Sequence, residues 1–267
     1  MSIIQRNNVN ISGRGARTVV LAHGFGCDQT MWRRLAPFFH DDYRLVLFDH
    51  VGSGSSDLCA YDADKYDSLH GYARDLIELV REVADEPVVF VGHSVSAMIG
   101  LLAAVQVPQL FCAQAMVGPS PCYVNDGDYR GGFTREDIDD LLTTLESNYL
   151  GWSSAMAPAI MGAPDQPELG VELTNSFCQT DPQIAAQFAR VTFLSDHRGL
   201  LPSNPIPTLI LQASEDLIAP RAVGEYMHRV MPGSTLRIIE NNGHCPHLSA
   251  PRATAEAIGA FLRTTGS

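Results

Sequence analysis

Apolar positions along the chain fall into two alternating rhythms. Short runs dense in β-branched and aromatic residues occur at TVVLAH (18–23), YRLVLFDH (43–50), VVFV (88–91), 110–117, IPTLILQA (206–213) and TLRIIE (235–240). Such runs read as buried strands. Elsewhere apolar residues recur every three or four positions, which predicts helices near 30–39, 66–84, 220–230 and 252–263. A further helix starts where VVFV ends, with Met98, Ile99, Leu101, Leu102 and Val105 at helical spacing. Alternation of this kind implies an α/β fold, a mostly parallel sheet with helices on both faces. Ligands of such sheets bind beyond the carboxyl ends of the strands, so the residues that follow each strand are the first candidates for chemistry.

The rhythm breaks between 120 and 202. No convincing buried strand occurs there; Gly and Pro instead separate four helical stretches near 134–149, 151–162, 167–178 and 181–194. The segment reads as a helical cap (120–202) inserted into a core made of residues 1–119 and 203–267. Phe133, Trp152, Met156, Phe177 and Phe193 spread aromatic and soft apolar bulk along it. Singly, each ring serves as well to glue the cap down as to touch a ligand. Together they suggest an apolar chamber. At 267 residues and 45% hydrophobic content, the chain can bury one sizeable core as a single domain with an insertion.

VVFV runs through Gly92 and His93 into the following helix, with Ser94 at the corner. So sharp a turn admits only small neighbours, lifts one side chain clear of the sheet and aims the helix N-terminus at whatever reacts there. GHSVS therefore reads as a nucleophile elbow of the GxSxG kind, with Ser96 in the last small position. A hydroxymethyl group is still small enough for close helix–strand packing. The plainer reading of Ser94 is an N-cap, a role serine commonly fills.

A serine hydroxyl becomes a useful nucleophile near neutral pH only with an imidazole in reach and a carboxylate to orient it. Both occur at strand ends. Glu215 and Asp216 follow IPTLILQA, and His244 follows Gly243 in the loop after TLRIIE. Asp216 is favoured over Glu215 because a shorter side chain before the apolar Leu217 and Ile218 suits a fixed carboxylate; His244 is favoured over His247, which lies beyond Pro246 at the approach to the last helix. His23 and His93 read as structural or supporting groups. The chain order Ser, acid, His is that of the α/β-hydrolase architecture. A tetrahedral oxyanion needs donors, and the Val95 amide supplies one. Phe25, in the loop His23–Gly24–Phe25–Gly26 after the first clear strand, supplies the second. FDHVGSGSSD follows a different strand and reads as a structural loop.

Charge narrows the partners. Eighteen basic against 30 acidic residues give a net charge of −12, which repels phosphate backbones and anionic lipid surfaces, so neither nucleic acid nor a membrane is expected as a partner. The first residues, MSIIQRNNVN, carry no secretory pattern, and nowhere do eighteen apolar residues run together; a cytoplasmic location is expected. Six cysteines without a CxxC pair argue against a zinc or redox motif and for free, mostly packed thiols.

The stretches LAHGFGCDQTMW, FDHVGSGSSD, VGHSVSAMIG, MVGPSPCYVND, GGFTREDI, NYLGW, FCQTDPQIAAQFA, SDHR and NGHCPHLSAP resemble, over nearly the whole chain, α/β-hydrolases of the RsbQ type. That family includes a bacterial stress-signalling regulator and the plant karrikin and strigolactone receptors; MVGPSPCY and SDHR look closer to RsbQ. The resemblance implies a Ser94–Asp216–His244 triad, an oxyanion hole at Phe25 and Val95, and a pocket at Phe133, Trp152, Phe177 and Phe193 under a four-helix cap. The expected activity is serine hydrolysis of a small apolar ester or lactone, with neither metal nor other cofactor. The alternative is a ligand-sensing regulator with slow turnover and a signalling protein partner docked on the cap.

Overall fold

The computed structural model describes residues 1–265, and its strands form one seven-stranded sheet. They are β1 (Asn10–Gly13), β2 (Arg17–Ala22), β3 (Tyr43–Phe48), β4 (Val88–His93), β5 (Phe111–Val117), β6 (Thr208–Glu215) and β7 (Ser234–Asn242). Their spatial order is β1-β3-β2-β4-β5-β6-β7, with every neighbouring pair parallel except β1 and β3. The helices are α1 (Ile3–Arg6), α2 (Leu69–Val83), α3 (Val95–Gln106), α4 (Arg135–Ser147), α5 (Tyr149–Met161), α6 (Pro167–Gln179), α7 (Pro182–Phe193), α8 (Arg221–Val230), α9 (Pro246–Ser249) and α10 (Pro251–Thr264).

Burial on both faces explains why the central strands read as unbroken apolar runs. Successive side chains of β4 point to opposite layers: Val88 and Phe90 pack with α2, α3 and α8, while Val89 and Val91 pack with Trp32, Leu35 and α10. The edge strand β1 escaped the sequence reading because NISG carries three exposed residues and pairs only with β3. The expected helix over 30–39 is replaced by two short 3₁₀ turns, Gln29–Arg34 and Ala36–Phe38. Asp28 holds the first with a 2.7 Å bond from the Thr30 amide, and Pro37 lacks the N–H that an α-helix would need. The apolar spacing still serves burial, since Trp32, Leu35 and Phe39 are all in the core.

Between β5 and β6 the chain forms α4 to α7, each end within two residues of the sequence expectation, with isolated bridges but no strand. A capping box between Thr134 and Asp137 starts α4, and Gly162, at φ +59°, ends α5. Ile138, Leu142, Trp152, Leu169, Phe177 and Phe193 share one apolar cluster with Met31, Ile218 and Leu248, so the underside of these helices closes over the carboxyl ends of the strands. Among the described residues no helix is long and apolar enough to cross a membrane. All six cysteines are free. Cys27, Cys122 and Cys245 are buried, Cys112 is half-buried, and Cys59 and Cys178 are exposed on a loop turn and the last turn of α6, so only half are packed away.

Candidate active site

Ser94 joins β4 to α3 at φ +55° and ψ −122°, a conformation that L-residues rarely adopt and that costs about 1–3 kcal/mol. Its surroundings hold it there. The Ser94 amide donates to Val117 O on the neighbouring strand at 2.8 Å, and a Cβ at Gly92 would come within 2.7 Å of the Ser96 carbonyl group. The side chain makes no capping bond to α3, so the plain N-cap reading is not what the hydroxyl does. Its Oγ instead lies 2.7 Å from His244 Nε2, and His244 Nδ1 lies 2.8 Å from Asp216 Oδ2. A carboxylate only accepts, so Nδ1 carries the ring proton and Nε2 is left to accept from the serine.

Asp216 occupies the turn after β6 with its side chain fully buried. Its Oδ1 accepts from the amides of Ile218 (2.8 Å) and Ala219 (3.0 Å), which leaves Oδ2 for the imidazole. Glu215, by contrast, is the exposed last residue of β6, and only its carbonyl serves the site, accepting from Gly243 N at 2.7 Å. His244 is tied from the other side by its amide to Ile160 O of α5, at 2.8 Å.

His247 is absent from this chain of bonds. It is fully buried in α9 against Trp32 and His93, with ring centroids 4.7 and 4.4 Å away, and burial lowers its pKa to about 3. His93 donates from Nε2 to the His244 carbonyl at 2.9 Å, so it supports the base from beneath; burial lowers its pKa too. His93, Cys245 and His247 bring ligand atoms within 4.8 Å of one another, the one such group with metal-ligand spacing among the described residues. Its histidines are kept neutral and its thiol protonated by burial, and His93 Nδ1 and both ring nitrogens of His247 have no hydrogen-bond partner among the described residues.

The loop after β2 passes directly over the elbow. A Cβ on Gly24 would lie 3.3 Å from Ser94 Cβ, which puts the Gly24–Phe25 peptide beside the nucleophile. The Val95 amide opens α3 one residue after Ser94. Phe25 also supplies a ring at the centre of an aromatic cluster, 6.2 Å from Trp152, 5.9 Å from Phe177 and 6.1 Å from Phe193. These rings, with Met156, Leu141 and Ile160, line a narrow cavity that ends at Ser94 and His244 and offers ≈ 30 Å³ to the centre of a water-sized body.

Phe133 does not line this cavity and corrects the expected pocket. Its backbone is paired with Val124 and bonded to Tyr123 O at 3.1 Å, and its half-buried side chain packs against the apolar cluster. Tyr123 takes the place on the wall. Its buried hydroxyl approaches Ser94 without reaching hydrogen-bond geometry to any group, and burial pushes its pKa up to about 12. The signal for it was available, since it follows β5 as the other site residues follow their strands.

The sheet order, the strained corner and the three-part bond chain are the features of one family, and the match to the description "Alpha/beta hydrolase family" spans residues 19–257. The chain is an α/β-hydrolase. The hydrolase is 41% identical over 253 residues to the "Karrikin insensitive 2 receptor CA" of Petunia hybrida, covering 94% of each chain. It is 37% identical over 263 residues to the "Strigolactone esterase D14" of Arabidopsis thaliana, covering 98% of this chain and 97% of that one. Among solved structures, a hydrolase from Oleispira antarctica superposes with a TM-score of 0.95 at 42% identity, covering 98% of this chain and 96% of that one. These relatives fall in the receptor and esterase part of the expected resemblance.

Proposed function

We propose that this α/β-hydrolase is a cofactor-independent serine hydrolase acting on a small, mostly apolar ester or lactone. The observation that carries the reading is the unbroken bond chain from Asp216 through His244 to Ser94, opening into a narrow cavity of aromatic and aliphatic walls. Ser94 attacks the carbonyl as His244 Nε2 takes its proton; Asp216 holds the ring and stabilises its positive charge. The oxyanion is received by the Phe25 and Val95 amides. His244 then returns the proton to the leaving oxygen, and water releases the acyl group by the same steps in reverse. The esterase relatives support an ester or lactone, and the tight apolar walls support a small one. The six free thiols support a cytoplasmic location. Ser94→Ala is expected to lower p-nitrophenyl acetate hydrolysis by at least about 10³-fold; turnover at the parent rate overturns the assignment.

A second reading, a ligand-sensing regulator of the RsbQ type, uses the same site with slow turnover. What favours it is the outer face of the cap, where Leu150 on α5 and Val171 on α6 are 58% and 60% exposed. The likeness to a karrikin receptor points the same way. Pull-down from native lysate, with and without ligand and with Ser94→Ala, separates the readings: a specific partner whose capture depends on ligand supports the regulator, and its absence the plain enzyme.

A further inference from the structure

The last position of the elbow, where the common pattern has glycine, holds Ser96, and its hydroxyl is fully buried and fully used. Its Oγ donates to the His23 carbonyl and lies 2.7 Å from His50 Nε2. With its single proton committed, Ser96 accepts from His50, so His50 is protonated on Nε2. The His50 amide donates to His23 Nε2 at 3.1 Å. That fixes the second tautomer: His23 carries its proton on Nδ1 and donates it to the Gly24 carbonyl at 2.9 Å. The Cys27 amide adds a longer bond to the same oxygen, at 3.3 Å. Both rings are fully inside the core, and burial lowers the pKa of each, so neither proton assignment is disturbed by a charged form near neutral pH.

The consequence lies in peptide geometry. The His23 carbonyl is held by Ser96 and the Gly24 carbonyl by His23, so the two peptides flanking Gly24 are both fixed. No peptide among the described residues is cis, and across a trans peptide the N–H points opposite to the C=O. Anchoring the Gly24 carbonyl therefore sets the direction of the Phe25 N–H. We propose that Ser96, acting with His50 and His23, is a positioning residue for the oxyanion hole. The elbow then carries the nucleophile at 94, one oxyanion donor at 95 and the anchor of the second donor at 96, so one rigid helical turn keeps all three in register. FDHVGSGSSD, read from sequence as a structural loop, reaches the site through His50.

This inference rests on the serine-hydrolase reading, and the test separates the two. Ser96→Ala is expected to lower kcat on p-nitrophenyl acetate by roughly 10- to 100-fold with KM within about twofold of the parent. The inhibition constant of phenylboronic acid, which forms a tetrahedral adduct on an active serine, is expected to weaken by a similar factor. His50→Phe, which removes the ring donor and keeps the backbone amide, should lose less in both readouts and in the same direction. Melting curves identify any variant that fails to fold, and the remaining one carries the test. Parent-like kcat and boronate affinity in the folded variants overturn the positioning role and leave the hydrolase reading standing, as does a rise in KM alone. Absence of Ser94-dependent turnover in the parent protein overturns both.

Discussion

The sheet with its strand-end loops and the helices α4 to α7 both reach Ser94, but they are specified in different ways. Around the sheet, each residue of the proposed chemistry is placed by the end of a strand: Phe25 after β2, Ser94 after β4, Asp216 after β6 and His244 after β7. Directional bonds hold them, such as the two backbone amides on Asp216 and the Val117 carbonyl that accepts from the Ser94 amide. On α5, α6 and α7, Trp152, Phe177 and Phe193 are placed by helix packing, with Trp152 and Phe177 stacked at 5.5 Å. Packing is non-directional and tolerates substitution of similar volume. Under the proposed hydrolysis, chemistry is set by topology and selectivity by filling, which predicts that the strand-end residues govern kcat and the rings on α4 to α7 govern KM.

The strongest way to break this division is at the acid. Asp216→Asn keeps the shape of the turn but permits the wrong imidazole tautomer, and kcat is expected to fall roughly 10³- to 10⁴-fold with little change in KM. Steady-state kinetics on one activated ester gives both numbers. A loss confined to KM would erase the distinction between the two regions.

Within the cap, position relative to the cavity decides the effect. Trp152→Ala removes a wall and is expected to lower kcat/KM for an apolar ester by roughly 10- to 100-fold, chiefly through KM, while also costing about 3–5 kcal/mol of stability. Phe133→Ala, outside the lining, should leave KM within about twofold. Equal effects of the two on KM would mean that the lining is assigned wrongly.

The smallest expected effect near neutral pH concerns the floor shared by both regions. His247 has an ordinary pKa of 6.5 and a folded pKa of about 3, so between those values the unfolded chain binds a proton that the folded chain refuses. Stability therefore rises with pH across that window and is independent of this group above it, with a slope of about 1.4 kcal/mol per pH unit where only the unfolded form is protonated. His247→Phe should flatten the slope of unfolding free energy between pH 4 and 6 by about one proton. An unchanged slope in denaturant titrations would show that the ring is not held neutral.

Much of the core was legible because parallel strands announce themselves as apolar runs, and their ends then point to Ser94, Asp216 and His244. The choice between His244 and His247 rested on the flexible Gly243 and the blocking Pro246, and the bond chain follows it: α9 turns His247 back into the floor. What was illegible lacked a run or a direction. β1 is four residues long and mostly exposed, and the 3₁₀ turns share the apolar spacing of a helix. Phe133 illustrates the limit in the region between β5 and β6, because spacing says that a ring is buried without saying which side of the wall it faces. Ser96 was read only as small, since its two bonds lead to residues 73 and 46 positions away.

The central claim is that His244 and Asp216 make Ser94 the reactive nucleophile of this chain. Peptide mapping by mass spectrometry after treatment with a fluorophosphonate tests it most directly. One adduct per chain, on the peptide containing Ser94 and at least about 10³-fold slower to form in His244→Ala, is the expected result. An adduct elsewhere, or on Ser94 at the same rate without the imidazole, contradicts it.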